Sequence, residues 1–193
     1  MPSNALRNWE DNGVRALDQM EAAHAALGGT GPGRRHATQQ INQAYAVMLS
    51  SQFQLFCRDL HTEAADLLTR THVAPDIRFT ILRTALTEGR KLDTGNPNPG
   101  NIGSDFDRLG LSFWGELSLA FPNLARWRLQ LEELNRWRNA IAHQDFNPIR
   151  LGGRTTLRLK RVRAWRSACN VLAIRFDRVT GTHLSRIIGS SPW

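Results

Sequence analysis

The chain has no run of apolar residues long enough to span a bilayer as a helix, which takes about 20. It has two cysteines, Cys57 and Cys169. They are too far apart for a zinc signature and each is flanked by apolar residues, so the expectation is two buried free thiols in a reducing compartment. It also lacks sustained alternation of apolar and polar residues, which excludes a half-buried sheet as the main architecture. The start, Met1-Pro2-Ser3-Asn4, has no basic region followed by an apolar core, and the expectation is a cytoplasmic protein without membrane attachment. The scarcest commodity is acid after residue 145. From Phe146 to Trp193 there is one acidic residue, Asp177, against ten Lys or Arg, a net of +9, while Met1 to Asp145 nets −1.

What is present is helical periodicity. With 193 residues and a hydrophobic fraction of 41%, the chain is long enough for one real core. Ser3 is placed to cap a first helix that carries Leu6, Trp9, Leu17 and Met20 and runs to about Leu27. Gly28-Gly29-Thr30-Gly31-Pro32-Gly33 then interrupts the pattern. No strand precedes that stretch and no Gly-Lys-Ser/Thr closes it, so it is a linker and not a phosphate loop. A second helix is expected from about Thr38 to Thr71. A third opens at Pro75-Asp76, followed by loop from Lys91 to Ser104 and a short helical piece over Phe106–Phe121. A fourth long pattern spans about Asn123–Ala142, and a last helix runs from Thr156 or Leu157 to about Thr180. The class is all-α. Residues 1–36 form an N-terminal helical arm with its Gly-rich linker, able to pack on its own bundle or on a partner, and residues 37–193 form the bundle.

The basic excess begins with Arg150, Arg154, Arg158, Lys160, Arg161, Arg163 and Arg166, without one intervening acid. Such a surface suits a polyanion, and these seven residues are the expected RNA contacts. Directly before them stands Arg138-Asn139-Ala140-Ile141-Ala142-His143. It puts a permanent cation, a side-chain amide and an imidazole within a turn and a half, a set that can clamp phosphate and move protons. Trp127, Leu131, Leu134, Arg138 and Ile141 follow spacings of four and three, so Arg138 is expected in an apolar seam. An ion placed there costs several kcal/mol unless it is paired. On an ideal helix residues five apart diverge by about 140°, so Arg138 and His143 do not share a face, whereas Asn139 and His143 stack. A second copy of the motif would complete the constellation, with Leu134, Ile141 and the loop holding Gln144 and Asp145 at or near the contact.

The pattern of an Arg followed by a polar residue, with a His five positions after the Arg at the end of a long helix, resembles the motif of the HEPN superfamily (higher eukaryotes and prokaryotes nucleotide-binding). Gly100-Asn101-Ile102-Gly103-Ser104-Asp105-Phe106 and Trp165-Arg166-Ser167-Ala168-Cys169-Asn170 also look like bacterial HEPN proteins of defence and toxin systems. The resemblance implies a HEPN-like helical bundle and a metal-independent endoribonuclease with Arg138, Asn139 and His143 as catalytic residues. Cleavage would leave a 2′,3′-cyclic phosphate and a 5′-OH. It further implies a homodimer joined through the motif helix, no cofactor, and a role as toxin or antiviral effector with a protein antitoxin or regulatory partner. The alternative is a non-catalytic HEPN-type module that binds RNA, a nucleotide or a protein. A third reading makes Arg138 a buried salt-bridge hub.

Asp59, Glu63 and Asp66 share one helical face. They are expected either as a stripe that is solvated or paired with Arg58, Arg70 or Arg83, or, for Asp59 and Glu63, as carboxylates that orient Arg138 or His143. Trp127, Trp137 and Trp165, at helical spacing among leucines, are expected in the core. His61 and His72 have no partners at metal-ligand spacing, and no metal site is expected.

Overall fold

The computed structural model describes residues 1–26, 34–74 and 76–193, and its regular structure is helical throughout, with no strand among the described residues. Three long helices make the frame: α3 (Arg34–His72), α8 (Leu124–His143) and α9 (Leu159–Ile188), packed pairwise on one another. At 39 residues α3 is roughly 60 Å long and serves as the spine. Leu49, Phe53, Phe56 and Leu60 on α3 meet Trp165, Leu172 and Phe176 on α9 and Leu131, Leu134 and Trp137 on α8 in one core. Cys57 and Cys169 are buried, free thiols within it, and burial pushes both thiols up. No helix among the described residues is long and apolar enough to cross a membrane.

Of the two surfaces open to the N-terminal stretch, its own bundle and a partner, it packs on its own bundle. Ser3 caps α1 (Asn4–Asn8), its hydroxyl accepting from the Leu6 amide. A π-turn over Trp9–Gly13 follows, then α2 (Val14–Ala26). Ala5, Leu6, Trp9 and Leu17 are all buried in the common core. Trp9 meets Phe53 edge-on at 5.7 Å, and Gly13 lies under the indole, where a Cβ would come within 3.2 Å of the ring. The hydrophobic spacing was visible in the sequence. What it could not show is that the surface it buries against belongs to the same chain. The Gly28–Gly33 linker, Leu27 and Pro75 lie outside the described residues.

Between the long helices the chain is more helical than expected. Asp76 caps α4 (Ile77–Thr87). The stretch from Lys91 to Ser104, expected as loop, contains α5 (Lys91–Thr94) and most of α6 (Pro99–Asp107). Asp105 explains the first, because its carboxylate accepts from the Lys91 and Leu92 amides and so caps a turn from a distance. Asn98 explains the second, with its side chain on the Asn101 amide and Pro99 in the first turn, two strong start signals in succession. Then α7 spans Phe113–Ala120. The last helix continues two turns past Thr180, because Leu184 is also buried.

One buried group makes stability depend on pH. His61 is fully enclosed on α3. Its Nε2 lies 2.9 Å from the Asp105 carbonyl oxygen and its Nδ1 lies 3.3 Å from Nη1 of Arg90. Arginine can only donate, so Nδ1 accepts and Nε2–H donates: the ring is neutral. Burial first, and the Arg90 charge second, push its pKa down from 6.5 to about 4. Between those values the unfolded chain binds the proton and the folded one does not, so stability falls as pH drops from 6.5 toward 4, by about 3 kcal/mol over the window. Asp59 and Asp177, raised mainly by burial, work in the opposite sense at the acid end. Urea midpoints measured from pH 7 to pH 4.5 should decline in the wild type and decline less steeply in His61→Gln. Parallel profiles would mean that the acid sensitivity lies elsewhere.

Candidate functional site

The apolar seam of α8 runs through Leu124, Leu131, Leu134, Trp137 and Ala140. It passes one position before Arg138, because the larger Trp137 side chain takes the inward position against Trp165, at a ring separation of 6.4 Å. Arg138 is therefore half-buried at the edge of the seam and not within it. It meets no carboxylate among the described residues, so it is not the hub of a buried ion pair. Trp137 and Trp165 are core residues as expected, and Trp127 is half-buried.

What Arg138 touches is its neighbour. Nη1 of Arg138 donates to Oδ1 of Asn139 at 3.3 Å, and Nδ2 of Asn96 donates to the same oxygen at 2.9 Å. Asn96 comes from the loop before α6, and its own Oδ1 accepts from Asn98 at 2.8 Å. The Asn98 Oδ1 in turn accepts from the Asn101 backbone amide at 2.8 Å. The polarity of this relay is fixed at both ends, by a guanidinium that can only donate and by a backbone N–H. Consequently the Asn139 Oδ1 is occupied twice, and its Nδ2, on an exposed face, is left as a pair of donors without a partner among the described residues.

The loop carrying Asn96 is clamped to α8. The Asn101 side chain donates to the Asn96 carbonyl at 2.8 Å, and buried Asn135 donates from α8 to the Pro97 carbonyl at 3.0 Å. Gly95 has to be glycine here, since a Cβ would stand 2.6 Å from Nδ2 of Asn101. Asn96 is the site residue that sequence reasoning missed. Its signal was there in Asn96-Pro97-Asn98-Pro99-Gly100-Asn101, a density of asparagine that turn chemistry alone explains. Its target, 43 positions away, was not.

His143 is the last residue of α8. Gln144 adopts the left-handed conformation, φ 53°, and ends the helix, with its side-chain amide on the Ile141 carbonyl at 2.8 Å. The His143 ring is exposed and takes no hydrogen bond among the described residues. It lies one turn beyond Asn139 on the same exposed face. One chain thus joins Arg138 to Asn139 and leaves His143 open to whatever approaches the helix end.

The basic segment divides into engaged and open residues. Arg166 spans Asp18 at 2.6 Å, Glu21 at 3.3 Å and the Tyr45 hydroxyl at 3.2 Å, with only 14% of its side chain exposed. Arg163 pairs with Glu21 at 2.8 Å. Burial works against the Glu21 carboxylate, but Tyr45, Arg163 and Arg166 outweigh it and hold Glu21 below its usual range. Burial and the bond to Glu21 push Tyr45 up to about 12. Arg163 and Arg166 therefore tie α2 to α9, which leaves Arg166 little surface for RNA, whereas Arg163 stays more than half exposed. Arg161 and Arg154 reach Glu133 at 3.3 and 3.8 Å, and Arg150 reaches Asp145 at 3.1 Å. Arg158 and Lys160 have no acidic partner among the described residues. Together with Arg154, Thr156, Arg161 and a wall of Trp137 they line a groove of about 630 Å³.

Asp59 and Glu63 serve the N-terminus and not the motif. Glu63 accepts from the Asn4 and Ala5 amides and the Asn4 side chain, each at 3.0 Å, and so completes the start of α1. Burial raises Asp59, which bonds to Asn8, and Asp66 pairs with Arg83 at 2.6 Å. Neither Asp59 nor Glu63 contacts Arg138 or His143, so the expected orienting role is withdrawn. The geometry leaves an exposed amide and imidazole at one helix end, a cation behind them, and a basic groove formed by the segment before α9 and the first turns of α9, with Trp137 of α8 as its wall. No model of a protein family, no curated protein and no solved structure matches the chain in comparison with known proteins.

Proposed function

We propose that this protein is a metal-independent endoribonuclease of the HEPN type, acting as a homodimer. The observation that carries the reading is the held amide: Arg138 and Asn96 both spend themselves on the Asn139 oxygen, which aims two donors outward beside an unencumbered His143. RNA supplies its own nucleophile. A neutral His143 imidazole takes the proton of the 2′-OH, the 2′ oxygen attacks phosphorus, and the P–O5′ bond breaks. The departing 5′ oxygen takes a proton from an imidazolium, either the second copy of His143 or the same ring once it holds the 2′ proton. The amide of Asn139 and the guanidinium of Arg138 receive the charge that builds on the non-bridging oxygens. Arg158 and Lys160 hold the flanking strand by its phosphates. The biological setting, a toxin or antiviral effector with an antitoxin, follows from the resemblance.

The absence of any bond between His143 and Arg138 within one chain also suits a second reading, a binding module in which the helix end holds RNA, a nucleotide or a protein without cutting. End chemistry separates the two. Purified protein incubated with total RNA in excess EDTA should give fragments with 2′,3′-cyclic phosphate and 5′-OH ends and should leave DNA of the same sequence intact. RNA that stays whole under these conditions, while still bound, would establish the module and dismiss the nuclease.

A further inference from the structure

A second cationic cluster lies where the start of α8 faces the middle of α9, away from the basic segment. The guanidinium of Arg175, on α9, sits 4.7 Å from the ring centre of Phe121 and 6.0 Å from that of Trp127. Arg178, one turn on, lies 6.0 Å from Phe121, and Arg126 lies 4.9 Å from Trp127. Among the described residues no carboxylate pairs with any of the three. This contrasts with Arg163 and Arg166, whose charges are met by Asp18 and Glu21. Two donors here have no acceptor although they are enclosed: Nη1 of Arg175 and Nε1 of Trp127. An enclosed N–H without an acceptor is rare and costly in a folded chain.

The chemistry of this arrangement is specific. A guanidinium beside a ring uses its π face, and those of its N–H donors that reach the surface stay available to oxygen acceptors, which for Arg175 leaves out the enclosed Nη1. Three such cations with no intervening acid repel one another until an anion with several oxygens enters. Phosphate diesters supply that charge and those acceptors, and a strand supplies them in series. We infer that Arg126, Arg175 and Arg178, gathered around Phe121 and Trp127, form a second RNA-binding site that grips the phosphate backbone about 25 Å along α8 from His143, an assignment that rests on RNA being the substrate. Exposed Arg136, two turns before His143 on nearly the same line of the helix and also without an acidic partner among the described residues, stands between the two. The motif then receives a strand whose path is set upstream of the cut.

The test is binding, so it does not need catalysis. A fluorescent single-stranded RNA of about 20 nucleotides is titrated with the His143→Ala protein and with the same protein carrying Arg126→Gln, Arg175→Gln and Arg178→Gln, over a range of salt. The triple change should weaken binding tenfold or more near 0.1 M salt and reduce the log–log salt slope by roughly 2, at about 0.7 per lost phosphate contact. Arg175→Lys, which keeps the charge but neither the stack nor the fork, should weaken binding alone, and melting curves show whether each variant is folded. Equal affinity and equal slope in a folded triple variant would overturn the site while leaving the nuclease standing. Tight RNA binding lost in the triple variant, with wild type that never cuts, would uphold the site and remove the nuclease. Binding of poly-glutamate in preference to RNA would overturn the assignment in favour of an acidic protein partner.

Discussion

The His143→Ala protein is expected to fold as the wild type does and to have lost RNA cleavage by about 10²–10⁴-fold. Both halves of that expectation come from one fact, the isolation of the ring. His143 is exposed at a helix end and bonds to nothing among the described residues, and surface substitutions of that kind usually move stability by about 0.5 kcal/mol or less. The loss of rate would therefore be loss of chemistry. Arg138→Ala should match it in rate, because the non-bridging oxygens lose their cation and Asn139 loses one of the two bonds to its oxygen. Asn96→Ala removes the other bond and frees the amide to turn. Its cost in rate should be smaller, since both donors survive, and its cost in stability larger, since Asn96 is buried and tied to Asn98 and Asn101. Melting temperature and initial cleavage rate on one RNA rank the four proteins. A double variant lacking Arg138 and His143 that cuts as fast as wild type would place the chemistry elsewhere.

How far the sequence reached follows from the range of each interaction. The all-helical class and the long helices were legible because they rest on local spacing and caps: Ser3, Asp76 and the run from Val162 to Phe176 behave as their patterns require. Trp137 and Arg138 mark the first limit. With spacings of three and four both allowed, a pattern can place either residue inward, and only the presence of Trp165 on the facing helix decides. Charge marks the second. Arg166 stands in a segment without acid, yet it is neutralised by Asp18 and Glu21, almost 150 positions earlier. A charge census along the chain cannot anticipate that, and it overstates how many of the seven basic residues are open. Asn139 was chosen for its place beside Arg138, but the reason it can act as a fixed donor is Asn96, which no local rule connects to it.

Mixing Arg138→Ala chains with His143→Ala chains should restore cleavage that neither variant shows by itself. The expectation comes from the separation on α8, where Arg138 turns back to the edge of the core and His143 faces outward, about 140° apart on an ideal helix. A cleft built from two helix ends holds two copies of each group, and a mixed dimer keeps one intact Arg138 and one intact His143 on opposite chains. Leu134, expected at the contact, cannot take part, because it is fully enclosed in its own chain's core. The surface available is the exposed end of α8 and the turn after it: Asn139, His143, Gln144, Asp145 and Ile149, whose side chain is 91% exposed. An isologous contact centred there would bury Ile149 against its copy and bring the two imidazoles to one substrate. Ile149→Glu should then split the dimer in sedimentation and abolish cleavage at micromolar concentration while leaving each chain folded. Rescue on mixing together with a dimer sensitive to Ile149 would locate the cleft. A chain that cuts RNA as a monomer, or mixtures that recover nothing although mixed dimers form, would defeat the shared cleft and require Arg138 and His143 of one chain to act together.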